Sequence, residues 1–310
     1  MADEATALPA GTVVATGGGV YEVRLASGAV VSASLRGRLK QEQRTGDRVV
    51  TGDRVGILKH DDGSHTIETV HERTSELARQ APGTGGRRAK IIVANIDHVF
   101  VVFAAAQPAP HFRMLDRFLV LAEANSLRAT IVINKVDLVN DIAALDALLA
   151  PYTEAGYDVL CTSVKTGTGV AELSERLRAH ESVLAGPSGA GKSSLLNQVQ
   201  PGLGLLVGAV SDATNKGRHT TTRARLLPLD AGGYVADTPG LREIGLWDVD
   251  PQQLPHCFPE FALHIEHCRF ADCTHTHEPG CAVRAAVQDG AVSRARYESY
   301  VAMRAGFAAA

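Results

Sequence analysis

The segment GPSGAGKS at residues 186–193 fits G-x-x-x-x-G-K-[ST], follows the apolar run ESVLA and leads into the helical pattern SLLNQV. A strand, then a loop, then a helix is the context in which this motif cradles phosphate. Gly186, Gly189 and Gly191 let main-chain amides approach phosphate oxygens, and Lys192 is suited to the β- and γ-phosphates. Ser193, with Ser194 beside it, supplies a hydroxyl for Mg2+. DTPG at 237–240 ends the run YVADT and offers Asp237 to a magnesium shell and the Gly240 amide to a γ-phosphate. NKVD at 134–137 ends the run ATIVI and carries the chemistry that separates guanine from adenine. A carboxylate at Asp137 accepts from N1–H and the exocyclic amine of guanine, donors that adenine lacks there, while Asn134 reads the opposite edge and Lys135 packs its stem over the purine. TSVKTG at 162–167 lies just past another strand, with Ser163 and Lys165 placed to close over the base and Val164 where alanine is usual. Ligands of open α/β sheets bind at the carboxyl ends of strands, so these motifs converge.

A second constellation, HCRFADCTHTHEPGC at 267–281, gives Cys268-x4-Cys273-x-His275-x5-Cys281. Four soft or borderline ligands in one short loop suit tetrahedral zinc, and four protein ligands leave no open position, so the metal reads as structural. His267 and His277 are competing ligands.

The elements that must position these residues follow from patterning. At 310 residues and 45% apolar content the chain can build several cores. Residues 10–72 alternate five short β-rich runs with Gly and Asp turns, the pattern of a small OB-like barrel. RQAPGTGGRRAK has no periodicity and marks 73–90 as a flexible basic linker or loop. Over 91–245, continuous apolar runs alternate with amphipathic segments around 111–125, 139–155 and 170–181, an α/β domain with a largely parallel sheet. Residues 246–310 close the chain as a separate module, rich in Pro, His and Cys before an Ala-rich helix. Five cysteines with this clustering argue against a disulfide framework, and Cys161 and Cys257 read as idle or buried thiols. The absence of a leader or of a span-length apolar run makes the cytoplasm the expected location. A net charge of −3 excludes a generally basic nucleic-acid binder and leaves RNA contact to local clusters such as Arg36, Arg38 and Lys40 or Arg87, Arg88 and Lys90, with aromatics such as Tyr21 and Phe270 read first as core.

The order of the motifs is unusual: NKVD and SVK precede GPSGAGKS, the threonine cluster and DTPG. With the barrel in front and the Cys/His tail behind, the chain resembles the circularly permuted GTPases of the RsgA (YjeQ) family, ribosome small subunit-dependent GTPases, over about residues 12–285. The resemblance implies GTP hydrolysis with Mg2+, zinc on the same four Cys/His residues, and the small ribosomal subunit and its rRNA as partner. It implies binding of that subunit late in its maturation and release when the subunit stimulates hydrolysis. In GRHTTT at 217–222 it places Thr221 on the magnesium and His219 in catalysis, because Leu241, directly after DTPG, has no group to orient water. The expected chain is a monomer that binds GTP and GDP and no membrane. The alternative is a nucleotide-gated RNA-binding scaffold with incidental hydrolysis, which Leu241 favours; a P-loop ATPase or kinase is disfavoured by NKVD.

Overall fold

The computed structural model describes residues 9–39, 48–80, 89–178, 180–205, 224–237 and 249–308. Five strands come first: β1 (Ala10–Gly17), β2 (Val20–Leu25), β3 (Val30–Leu35), β4 (Arg54–Lys59) and β5 (His65–Val70). Then come β6 (Glu76–Gln80), β7 (Ala89–Ala94), β8 (His98–Ala104), α1 (Phe112–Ala124), β9 (Arg128–Asn134), α2 (Ile142–Glu154), β10 (Asp158–Cys161) and α3 (Val170–Leu177). They are followed by β11 (Glu181–Ala185), α4 (Lys192–Val199), β12 (Arg225–Pro228), β13 (Tyr234–Asp237), α5 (Ala262–Ile265), α6 (Ala282–Gln288) and α7 (Arg294–Ala308). The fold is mixed α/β and divides into two compact units, one holding residues 1–97, 177–183 and 215–241, the other 98–176, 184–214 and 242–310.

In the first unit, β1 to β5 are the five expected runs, paired in the order β1-β2-β3-β5-β4, and β4 returns to β1 to close a five-stranded barrel. Alternation puts Val13, Tyr21, Val23, Ala33, Val55, Ile57 and Ile67 inside, which makes Tyr21 a core residue. Gly18 and Gly19, both at positive φ, form the two-residue turn that antiparallel β1 and β2 require. The expected linker over 73–90 is in part strand: β6 and β7 pair antiparallel. Buried Leu77 and Val93 supply the apolar side of this ribbon, and in the sequence the Gly, Pro and Arg residues between the strands obscured that short alternation. Residues 81–88 lie outside the described residues. Further along the same unit, β12 pairs antiparallel with β13, and Arg225 of β12 stands opposite Ala15 of β1.

The second unit is built on β8, β9 and β10, all parallel, with every residue of β8 buried. Its core-facing helix α1 buries Leu115, Phe118, Leu119 and Ala122 at helical spacing, and the ring of His111 caps it by accepting from the Met114 amide at 3.2 Å. The C-terminal segment, expected as a separate module, shares a core with α1: Val120 and Leu121 pack with Leu254, Cys257, Phe258, Phe261, Val283 and Tyr300. Arg296 of α7 pins this seam. It is 1% exposed, donates to Asp116 on α1 at 2.6 Å and to Glu260 at 2.7 and 3.1 Å, and stacks over Tyr152, Tyr157 and Phe258. Removing one partner of a buried pair strands the other charge, so Arg296→Ala is expected to lower the unfolding free energy by about 3–5 kcal/mol. Urea denaturation measures it, and adding Asp116→Asn to that variant should recover part of the loss. An unchanged midpoint for Arg296→Ala would contradict the assigned role.

Candidate functional site

The expected base-reading and phosphate-loop residues all lie in the second unit, at the carboxyl ends of its strands. Asn134 closes β9 and is 2% exposed. Its amide nitrogen donates to the Ala190 carbonyl of the phosphate loop at 2.9 Å, and its amide oxygen accepts from the Thr162 hydroxyl at 3.2 Å. Lys135 next to it takes a left-handed conformation, φ +62°, and its ammonium donates to the Gln107 carbonyl. That turn carries Asp137 to the mouth of a cavity of about 290 Å³ lined by Asn134, Lys135, Asp137, Leu138, Val164, Lys165, Gly191 and Ser194. The buried Ser163 hydroxyl donates to one Asp137 oxygen at 2.6 Å, and the exposed Lys165 ammonium lies 3.9 Å from the other. The hydroxyl fixes the carboxylate's orientation, whereas a solvated pair at that distance contributes little. Each carboxylate oxygen keeps a lone pair for a further donor.

The phosphate loop is crowded main chain against main chain. A Cβ on Gly186, at φ +132°, would stand 2.1 Å from the Val102 carbonyl, and one on Gly191, at φ +93°, 2.3 Å from the Asn134 amide nitrogen. Glycine is therefore required at both positions by space as well as by backbone conformation. Gly189 is also at positive φ, but a Cβ there would meet only Pro108, at an ordinary 3.6 Å. The Lys192 ammonium folds back over the loop, donating to the Gly186 and Pro187 carbonyls at 2.6 and 2.7 Å. Ser193 and Ser194 occupy the first turn of α4, which Gly191 opens without a side-chain cap. Asp237 ends β13 in the first unit. His219, Thr221 and Gly240 lie outside the described residues.

Cys268, Cys273, His275 and Cys281 come together with their ligand atoms within 4.8 Å of one another, a set that could hold a metal ion. His275 Nδ1 is 3.5 Å from the sulfurs of both Cys268 and Cys281, which are 3.9 Å apart. A four-coordinate metal bound at about 2.3 Å to sulfur and about 2.1 Å to nitrogen needs edges of about 3.6–3.8 Å, so the donors fit. Burial pushes the Cys273 thiol up to about 12 and raises that of Cys281, so a cation is what would hold these sulfurs as thiolates. The loop is built to keep this shape. His275 is left-handed at φ +58°, its carbonyl accepts from the Tyr297 hydroxyl at 2.8 Å, and the Thr274 carbonyl accepts from Tyr300 at 2.6 Å. Burial would raise the Glu278 carboxyl, but hydrogen bonds from Thr274, Thr276 and His277 outweigh it and hold the group ionised. His277 points to solvent, outside the cluster.

A family model for the RsgA GTPase matches residues 70–247, more than half of the chain. The chain belongs to the RsgA GTPase family. The small ribosomal subunit biogenesis GTPase RsgA of Gemmatimonas aurantiaca is 55% identical over 297 residues, covering 95% of this chain and 96% of its own. The Thermotoga maritima protein of the same name is 40% identical over 279 residues, 89% of each. Among solved structures, YjeQ from Thermotoga maritima matches with a TM-score of 0.81 at 37% identity, covering 96% of this chain and 98% of its own. YloQ, described as a circularly permuted GTPase, matches at 0.77 and 30%, covering 99% and 97%. As an RsgA GTPase the chain is a GTP hydrolase, and the expected permuted order, with NKVD ahead of GPSGAGKS, is that of its family.

Sequence reasoning did not find Thr162, the Gln107 carbonyl, Leu138 or the Val102 carbonyl. Thr162 stood inside a motif already under study and could have been asked what its hydroxyl meets. Main-chain acceptors such as Gln107 and Val102 carry no signal in residue identity. Replacing the carboxylate at Asp137 by an amide removes one acceptor and introduces a donor toward the base. Asp137→Asn is expected to weaken GDP binding about tenfold to a hundredfold, the worth of one hydrogen bond to a charged group. Xanthosine diphosphate, which offers a carbonyl where guanine has an amine, should gain affinity. Titration with both nucleotides measures this, and equal weakening of the two would count against base recognition by Asp137.

Proposed function

We propose that this chain is a late-stage maturation factor of the small ribosomal subunit, binding the subunit and its rRNA in the GTP state and leaving it when the subunit stimulates hydrolysis. The observation that carries the proposal is the cavity that joins Asp137, Lys165 and Asn134 to Gly191 and Ser194 in a chain 55% identical to a small ribosomal subunit biogenesis GTPase. Asn134, Lys135, Asp137, Ser163 and Lys165 hold guanine; Gly186, Gly189, Gly191, Lys192 and Ser194 hold the phosphates. Ser193 and Thr221 ligate Mg2+, which offsets charge on the phosphate oxygens, and Asp237 and Gly240 attend the magnesium shell and the γ-phosphate. His219 positions water, since Leu241 has no hydrogen-bonding group. Cys268, Cys273, His275 and Cys281 hold one structural zinc ion, stapling a segment too small to order itself. The barrel of residues 10–72 and the zinc module of 246–310 supply the RNA contacts around a GTPase domain of 91–245, in a cytoplasmic monomer.

A scaffold in which GTP sets conformation and hydrolysis is incidental is the second reading, and Leu241 favours it. GTP turnover with and without purified small subunits separates the two. The maturation-factor reading expects strong stimulation, lost in His219→Ala by about a hundredfold, within the usual range for a positioned acid–base group, while GTP affinity stays the same. Unstimulated wild type would favour the scaffold, and equal turnover by both proteins would remove His219 from the mechanism. For the metal, elemental analysis of purified protein is expected to give stoichiometric zinc that falls in Cys281→Ser; a metal-free, folded wild type would overturn the assignment.

A further inference from the structure

The proposed function leaves open how a barrel that touches RNA could alter the rate of hydrolysis. β12 and β13 form a hairpin placed, in sequence, between the two segments that carry the proposed hydrolytic groups. Thr221 lies just before Ala224 and β12, and Asp237 is the last residue of β13. The hairpin's outer edge is fastened to the barrel within one compact unit. Ala15 of β1, Arg225 of β12 and Asp237 of β13 stand in register across three adjacent strands. Arg225 pairs with Glu22 of β2 at 3.0 Å, and Arg24 lies over the Tyr234 ring.

The deepest fastening is Thr51. Its side chain is 2% exposed, and its hydroxyl donates to the Ala224 carbonyl at 2.9 Å, 173 residues away in sequence. The mount that carries it has little freedom. The Gly52 amide donates to Val13 at 2.8 Å, the Gly52 carbonyl accepts from Asn95 at 2.8 Å, and at φ +94° a Cβ on Gly52 would stand 2.0 Å from the Ala94 carbonyl. One residue on, fully buried Asp53 receives two bonds from Arg73 at 2.7 and 3.0 Å. A donor held this rigidly fixes the acceptor, and Ala224 is the residue directly before β12.

We propose that Thr51 is a positioning residue for hydrolysis: its hydroxyl sets the root of β12, and through the Ala15, Arg225 and Asp237 ladder it ties the register of Asp237 to the barrel. The inference rests on the reading of Asp237 as a magnesium-site group. Misplacement of about 1 Å can cost about a hundredfold in rate, so the fastening need shift little to matter.

Single-turnover GTP hydrolysis by wild type, Thr51→Val and Thr51→Ser, each with and without small subunits, tests it alongside GDP affinity. Thr51→Val keeps the shape and removes the donor; it is expected to slow hydrolysis about tenfold or more at unchanged GDP affinity, a rate loss without a binding loss. Thr51→Ser keeps the donor and should restore the rate. A normal rate in Thr51→Val, equal slowing in both variants, or a matching loss of GDP affinity would overturn the proposal. If Thr51→Val does not fold, Glu22→Lys, which sets like charges against Arg225 on the exposed side of the ladder, should slow hydrolysis in the same direction, and a normal rate there would overturn it instead. Subunits that stimulate no protein, wild type included, would defeat the proposed function, while the comparison without subunits would still decide the role of Thr51.

Discussion

The side-chain amide of Asn134 is bonded to two different loops and its main chain to a third, and the nucleotide site depends on that knot. The nitrogen holds the phosphate loop at Ala190, the oxygen holds the loop after β10 at Thr162, and the carbonyl accepts from Ala105 at the end of β8 at 2.7 Å. Buried amides without partners are costly, so each loop is held where it can satisfy this one side chain. Gly191 is the complement of the same fact, because nothing larger fits beside the Asn134 nitrogen. The NKVD and GPSGAGKS segments are therefore not two features that happen to adjoin. They meet at one residue, and the cavity that runs from Asp137 to Ser194 passes over it.

A comparable economy governs the C-terminal segment, where α7 carries two kinds of fastening. Arg296 faces α1 and α2, while Tyr297 and Tyr300 hold the carbonyls of the Cys/His loop. The loop itself contains four residues that could hold a metal, among them the left-handed His275, and a glutamate wrapped by its own amides, with almost no apolar side chain of its own to bury. A metal can supply the cohesion that such a segment lacks, and α7 transfers it to the larger core shared with α1.

The residues that were legible from sequence are those whose chemistry is local. The barrel could be read because alternation of buried and exposed residues is imposed strand by strand, and the phosphate loop because its glycines answer to backbone crowding that a short motif records. The Cys/His cluster was legible because its four residues fall within one stretch of fifteen residues. Illegible features depended on partners distant in sequence. Arg296 reads as one more charge on a polar helix until Asp116, 180 residues earlier, is seen beneath it. β6 and β7 read as linker in the sequence because their pairing has a glycine-rich, basic interruption, and pairing is a property of two strands and never of one. Thr162 was visible as a letter, but its bond to Asn134 spans 28 residues and two strands.

Permutation gives these long-range ties a purpose. The permuted order gives two points of attachment in sequence, one before β8 and one after DTPG. The barrel exploits the first attachment by pairing β1 with β12, so that its own strand order continues into the hairpin ending at Asp237. The C-terminal module exploits the second by following DTPG with only a short stretch of chain between. An unpermuted order would place the end of the chain after the base-reading loop, far in sequence from the groups that change when GTP becomes GDP. Moving the ends leaves the tie between the NKVD and GPSGAGKS segments intact, because Asn134 makes it through space to the Ala190 carbonyl and not through the chain.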